Sequence, residues 1–284
     1  MRQSLSIALL IALLGLSVGA SASDLSFLLG EADRLYDRLD SEFDLASYRE
    51  DLEGAILLYE GALAAIPEDA IQTRSYVLNR LARAEFELGF AYLTDRDELE
   101  ATFAKGKDYA LASLRLDPSF RETEKESFRA ALATASDVDA LFWYGNNLGR
   151  YLEAHPLTAV LGGMKDVRAA FERAIELDPD HLGGGPWRAL GSFLAQVPSA
   201  LGGDVAQAEI AFQNAIEADP DFLENLVDLA EFLVKPSGDE ARFCSLLQEV
   251  LAKGDDPGVM SRWPLYNALA VNRAKGLLAE VECE

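Results

Sequence analysis

The sequence predicts an all-α protein built as a solenoid of stacked helix pairs. Helix-forming residues dominate, no long alternating β-type run occurs, and one helix-ending pattern recurs along the chain. In this pattern an aromatic or large apolar residue precedes an alanine and then a proline, as in Phe212, Ala215 and Pro220. The alanine lets neighbouring helices approach, and the proline stops the helix because it has no N–H to donate.

The first element is expected to be a secretory signal peptide over residues 1–22, which leaves one domain over 23–284. Arg2 precedes an apolar run over residues 5–16, and Ala20-Ser21-Ala22 offers small residues for cleavage after Ala22. The apolar run is shorter than the roughly 20 residues of a spanning helix, so a membrane anchor is the less favoured alternative. No cysteine stands near the cleavage site, and we therefore expect a periplasmic protein without a lipid anchor.

About five helix pairs are expected next, between an N-terminal capping helix over residues 24–40 and a long C-terminal capping helix over Trp263 to Glu282. The pairs are predicted to end near Pro67, Pro118, Pro179, Pro220 and Pro257. These prolines lie farther apart than the roughly 34 residues of a compact helix-pair repeat. Apolar insertions at 154–163 and 196–203 either line a binding face or pack as short helices on a neighbour.

The clearest repeat lies between Trp187 and Pro220. It reads Trp187-x2-Leu190-Gly191-x2-Leu194, then Ala208-x3-Phe212, Ala215 and Pro220, which is the tetratricopeptide-repeat (TPR) pattern. A TPR unit cannot bury its apolar faces alone. Such units therefore stack, and their concave side binds a partner or ligand.

The first helix of each pair is expected to face the inside of the solenoid with large apolar groups. Asn147 and Arg188 are isolated polar points there, and Arg188 is the candidate partner for an anionic ligand end. Aromatic residues on repeat helices more often belong to the core, and that alternative stays open. The six candidate ligand-binding residues are Phe86, Phe90, Trp143, Tyr144, Asn147 and Arg188.

The charge balance excludes nucleic acid as a general partner. The formal net charge is −23, and removal of residues 1–22, which hold Arg2 and no acid, makes it −24. A chain this acidic has little with which to neutralise phosphates. The acids are expected to form a solvated surface, with attraction of a cationic partner surface as the alternative.

Known catalytic and metal-binding patterns are missing from the sequence, so we expect no enzyme, no metal and no cofactor. The only histidines are His155 and His181, and neither sits in a cluster with metal-ligand spacing. Gly183-Gly184-Gly185-Pro186 is better explained by helix initiation than by phosphate binding.

The two cysteines, Cys244 and Cys283, leave their pairing open. The long helix predicted before Cys283 is expected to overshoot Cys244, which disfavours a disulfide.

Two segments resemble the TatT family, the periplasmic TPR components associated with tripartite ATP-independent periplasmic (TRAP) transporters. They are the Phe-Trp-Tyr-Gly-Asn-Asn block at 142–147 and the Gly-Gly-Pro-Trp block at 184–187, and the likeness extends over roughly residues 30–280. The resemblance implies a helical scaffold pierced by a hydrophobic pore, docking of a TRAP solute-binding subunit, and self-assembly, with a trimer suspected. The implied ligand is hydrophobic or an organic acid with an apolar body. The alternative function is a generic TPR adaptor for proteins or an envelope assembly scaffold.

Overall fold

The computed structural model describes residues 22–37 and 43–283, and 83% of that part is helical with no strand. The prediction of an all-α fold is therefore confirmed. Residues 1–21 of the predicted signal peptide lie outside the described residues.

Fourteen helices of five or more residues make up the described part. They are α1 (Ala22–Tyr36), α2 (Leu45–Ala65), α3 (Ile71–Tyr92), α4 (Arg96–Leu114), α5 (Pro118–Glu124), α6 (Phe128–Thr134), α7 (Val138–Ala154), α8 (Met164–Leu177), α9 (His181–Gln196), α10 (Val205–Ala218), α11 (Glu224–Asp228), α12 (Glu240–Gly254), α13 (Pro257–Arg262) and α14 (Pro264–Leu278). A short helical segment (Pro156–Thr158) and a π-helical turn (Ala159–Gly163) lead into α8, and α11 continues through a second π-helical turn (Leu229–Val234) into Lys235–Ser237.

Aspartate side chains begin many of these helices. Asp44, Asp95, Asp137 and Asp204 each accept a hydrogen bond from a backbone N–H in the first turn of the helix that follows. A carboxylate there satisfies an otherwise unpaired donor and faces the positive end of the helix dipole. Part of the acidic excess therefore has a structural role.

The prolines that were predicted to end helix pairs fall into two groups. Pro67, Pro179 and Pro220 lie just beyond the ends of α2, α8 and α10, as expected. Pro118 and Pro257 instead occupy the first turns of α5 and α13, each after a capping aspartate. A backbone N–H in the first helical turn has no partner within its own helix, so proline is tolerated there. These two prolines therefore start a new helix just after α4 ends at Leu114 and α12 ends at Gly254.

One glycine-to-phenylalanine contact recurs in three successive helix pairs. The α carbons of Gly89, Gly145 and Gly191 face the rings of Phe103, Phe171 and Phe212, and a Cβ at any of the three glycines would lie 2.5–3.1 Å from ring carbons. The contact joins α3 to α4, α7 to α8 and α9 to α10. It explains why a glycine in the first helix and an aromatic residue in the second recur together in the sequence.

The two apolar insertions have different outcomes. In the first, Leu157, Val160 and Leu161 are 79%, 61% and 86% exposed, whereas Ala159 between them is buried in the core. In the second, Val197 and Pro198 line the central cavity described below.

The C-terminal segment differs from its prediction. α14 begins at Pro264, one residue after the predicted start, but it ends at Leu278, and turns over residues 279–281 reverse the chain. Cys283 therefore returns to Cys244, where the two form a disulfide with a Cα–Cα distance of 5.8 Å. The expectation that the last helix overshoots Cys244 is wrong because that helix stops four residues early.

The two ends of the helix array meet through α14. Leu265 and Leu269 are buried in the same apolar cluster as residues of α1, α2 and α3, whereas Ala270 and Ala274 are buried in the cluster formed by the later helices. The Tyr266 hydroxyl donates a hydrogen bond of 2.6 Å to Glu87 on α3. The helices therefore surround a central space.

Candidate functional site

The central space is a cavity of about 350 Å³, a size that accepts a small organic molecule. Its wall combines side chains from α3, α7, α8, α9, α11 and α14, together with the turn after α9. Because α14 forms part of the wall, the cavity exists only when the C-terminal helix contacts the N-terminal half.

Aromatic rings form most of the apolar wall. Phe86 and Phe90 stack on α3 with ring centroids 5.6 Å apart, and Phe86 also lies 5.4 Å from Trp143 of α7. The wall rings are Phe86, Phe90, Phe142, Trp143, Phe171, Phe193, Phe232 and Tyr266. Rings at this density offer a large contact surface to an apolar ligand body.

Arg188 of α9 lines the cavity and is already engaged. Its Nη1 donates a hydrogen bond of 3.0 Å to Oδ1 of Asn225, and its Nε lies 3.6 Å from a carboxylate oxygen of Asp228. The guanidinium also stands over the ring of Phe222, 4.4 Å from the centroid. Three contacts fix this group, and one of them neutralises its charge.

Arg273 of α14 is shared by three acids of one helical stretch. It pairs with Glu224, with Asp228 at 2.9 Å and with Glu231 at 2.6 Å. Burial raises the pKa of Glu224 to about 7, and the neighbouring Asp228 and Glu231 add to the rise, whereas Arg273 and Arg188 oppose it. Arg188 and Arg273 together therefore provide two guanidinium groups for three carboxylates.

Three residues of the cavity wall carry a buried polar atom without a hydrogen-bond partner in the described structure. These atoms are Nε1 of Trp143, Oγ of Ser192 and Oε1 of Glu224. Buried polar atoms in folded proteins nearly always have a partner. Of the nine such atoms in the described residues, three belong to this wall.

Four of the six residues predicted from the sequence meet at this cavity. Phe86 and Phe90 contribute from α3, Trp143 from α7 and Arg188 from α9.

Tyr144 and Asn147 are not in the cavity wall, and their placement there needs correction. The Tyr144 ring is buried against Phe128, with centroids 5.7 Å apart. Asn147 is fully buried between helices, where its Nδ2 donates to the carbonyl oxygens of Ala82 and Trp143. Asn147 therefore joins α7 to α3. The helical rotation between Trp143 and Tyr144 is enough to turn one ring to the cavity and the next to the core.

The acidic end of the cavity was missed by sequence reasoning. Glu224, Asp228 and Glu231 recur at spacings of four and three in an otherwise apolar helix, so they share one face. That periodicity was a usable signal, because charged residues on an apolar stretch are costly to bury unless they are paired. Tyr266 offered no such signal, since its position depends on how α14 returns.

No group of histidine, cysteine, aspartate and glutamate side chains suited to a metal ion occurs in residues 22–37 and 43–283. Over the same described residues, no helix is both long and apolar enough to span a membrane.

The fold and the cavity define a class of protein: an all-helical protein whose helices surround a largely aromatic cavity with a charged end. The family model described as TRAP transporter T-component matches residues 96–283, about two-thirds of the chain. The chain belongs to this family, which confirms the resemblance seen in its sequence and implies association with TRAP transporters and a periplasmic location. None of the curated proteins matches the sequence.

A pH dependence of stability follows from Glu224. An acid with a pKa near 7 in the folded protein and near 4.5 when unfolded favours folding while it is protonated, so stability falls as pH rises between these values. We expect Glu224 to contribute a loss of about 1–3 kcal/mol in the free energy of unfolding from pH ~5 to ~8. Burial also raises the pKa of Glu85 to about 7, so Glu224→Gln should reduce the total loss without abolishing it. Chemical denaturation across this range measures it.

The exposed acid Glu217 is the control for that measurement, because Glu217→Gln makes the same change of charge at the surface. If both variants follow the wild-type profile, Glu224 does not titrate in this window.

Proposed function

We propose that this chain is a periplasmic TPR-like scaffold of a TRAP transport system that holds a small apolar molecule in its central cavity or passes it through. The observation that carries the proposal is the aromatic cavity with three unpartnered polar atoms in its wall. Such a wall suits a hydrophobic molecule, or an organic acid with an apolar body, that has one polar end. The four predicted residues at the cavity, Phe86, Phe90, Trp143 and Arg188, are its proposed ligand contacts.

The repeat assignment is part of the same proposal. The recurring glycine-to-phenylalanine contact between α3 and α4, α7 and α8, and α9 and α10 supports a TPR-like solenoid of about five helix pairs. The two other pairings and the capping roles of the terminal helices rest on the sequence pattern alone.

The proposed protein partner is a TRAP solute-binding subunit, and the proposed assembly is a homo-oligomer, with a trimer as the first expectation. Family membership supports both. Light scattering on the purified mature protein, alone and mixed with the solute-binding subunit of the same transport system, tests them. A monomer that leaves the solute-binding subunit unshifted would refute both parts and leave the cavity unaffected.

The ligand proposal is tested with a neutral fluorescent probe, N-phenyl-1-naphthylamine. The wild-type protein should bind it, and Phe90→Asp should weaken binding at least tenfold, because a carboxylate in an apolar wall is poorly solvated. Phe27→Asp makes the same substitution at a ring that is 52% exposed on α1, and it should bind as the wild type does. Circular dichroism confirms that both variants are folded.

Two outcomes would reject the ligand proposal. Either the wild type fails to take up the probe, or Phe90→Asp binds it as tightly as Phe27→Asp does. The protein adaptor or envelope scaffold would then be the better account of the fold.

A further inference from the structure

The charges around the cavity indicate which polar end a ligand presents. Arg150 and Arg188 are the cationic residues of the described wall. Arg150 pairs with Glu153 at 2.9 Å, and Arg188 lies between Asp228 and Asn225. An anionic ligand would therefore find no unpaired cation in this wall, and would have to displace an existing contact.

Carboxylates outnumber guanidinium groups at the charged end of the cavity. Glu224, Asp228 and Glu231 share Arg273, and only Asp228 has Arg188 as a second partner. Glu224 is 2% exposed, its Oε2 is bound by Arg273, and its Oε1 accepts nothing within the described chain. The group that lacks a partner is thus a buried acceptor in the cavity wall.

We propose, on the basis of the function proposed above, that the cavity selects apolar molecules whose polar end is a hydrogen-bond donor, a hydroxyl or a protonated amine, and that Glu224 receives this donor. Because Oε1 is covered in the described structure, the Glu224 carboxylate or a side chain over it must shift to admit the donor, and Oε1 then gains the hydrogen bond that it lacks. An ammonium group also offsets the surplus carboxylate. A carboxylate end meets Glu224 and Asp228 as like charges, and because both side chains are largely buried, water weakens the repulsion less than it would at the surface.

The raised pKa of Glu224 agrees with this assignment, since burial raises it most and the neighbouring carboxylates of Asp228 and Glu231 add to the rise. Ser192 stands four residues after Arg188 on α9, so its unpartnered hydroxyl faces the same side of the helix. A hydroxyl both donates and accepts, and it therefore tolerates either kind of ligand end. Glu224 is therefore the group that distinguishes a ligand with a donor end from a ligand with a carboxylate end.

The test compares three ligands with one tail and different ends. Dodecan-1-ol, dodecylamine and dodecanoate, each below its aggregation concentration, compete at pH 8 against N-phenyl-1-naphthylamine bound to the mature protein. The alcohol and the amine should displace the probe with affinities at least tenfold higher than that of the carboxylate. The neutral alcohol is essential here, because a chain of net charge −24 attracts any ammonium compound nonspecifically.

Two variants assign the preference to Glu224. Glu224→Gln removes the charge and should reduce the ratio of alcohol to carboxylate affinity at least fivefold, and Glu224→Met, which also removes the acceptor, should reduce it further. Glu217→Gln on the surface should leave the ratio unchanged. Arg273 keeps Asp228 and Glu231 in both Glu224 variants, so the fold has the means to persist, and probe binding verifies that it does.

The inference is overturned if dodecanoate binds as well as the alcohol, or if Glu224→Gln keeps the wild-type ratio. In either case the probe itself still binds, so the cavity remains a ligand site. If the probe does not bind to the wild type, the proposed function itself has failed.

Discussion

Replacing Glu87 with alanine should lower the free energy of unfolding by about 3–5 kcal/mol, the largest effect expected of any single substitution described here. Glu87 is 2% exposed and accepts hydrogen bonds from Tyr36 at 2.7 Å, from Tyr266 at 2.6 Å and from Nε of Arg83 at 2.8 Å. Its removal leaves the Arg83 guanidinium, enclosed by the rings of Tyr36, Trp143 and Tyr266, without a counter-charge.

The chain contains a matched control for that substitution. Arg49 and Glu53 form an ion pair with the same spacing of four residues and the same Nε–Oε1 distance of 2.8 Å, but both side chains are 45% exposed. Glu53→Ala should cost no more than about 0.5 kcal/mol. Urea denaturation of the two variants gives the loss in the free energy of unfolding for each. Because the two ion pairs have the same geometry, the difference between the losses measures the effect of burial. Equal losses would mean that Glu87 and Arg83 are solvated in solution.

The second large effect is expected at Gly184, where alanine should cost about 2–4 kcal/mol. This glycine has a φ of +76°, which disfavours a residue with a Cβ. A Cβ there would also lie 2.8 Å from both the Cα and the carbonyl oxygen of Ala215 on α10. Backbone atoms of a packed helix cannot move aside as a flexible side chain can. The steric overlap with Ala215 therefore adds to the backbone strain of the positive φ.

Gly276→Ala on α14 is the comparison, because a Cβ at that position meets nothing within 4 Å. It should be neutral or stabilise by up to about 1 kcal/mol, the usual gain of alanine over glycine within a helix. If denaturation midpoints show Gly184→Ala to be as stable as Gly276→Ala, the left-handed turn at Gly183 and Gly184 within α9 does not form as described.

Much of the fold was predictable because its signals are local. Capping aspartates, prolines and the glycine and aromatic residues of the repeats act within one helix or between neighbours, so their spacing in the sequence reports their role. The disulfide was not predictable in this way. Whether Cys283 reaches Cys244 depends on where α14 stops, and helix ends are decided by weak, distant packing.

The candidate site was predictable only in part for the same reason. The apolar contributions of Phe86, Phe90 and Trp143 follow from helical periodicity. Tyr144 and Asn147 were misplaced because a helix buried on several sides has no single inward face, and periodicity then fails to separate cavity from core. The pairing of Arg188 and Arg273 with the three acids forms only because α11 and α14 lie together. No local sequence pattern predicts that contact.

The hydrogen bond between Tyr266 and Glu87 joins residues 179 positions apart, and this span has a consequence for how the protein acquires its structure. A linear repeat array folds from any unit and frays from its ends. Here α14 is synthesised after α1–α13 and covers the first of them, so a chain in which α14 has not yet formed has neither a finished N-terminal core nor a complete cavity. Contacts of such long range form slowly, because a large loop must close before any of them is gained. We therefore expect the helices to form early and the cavity to appear in the final step, so that ligand binding reports the completion of folding.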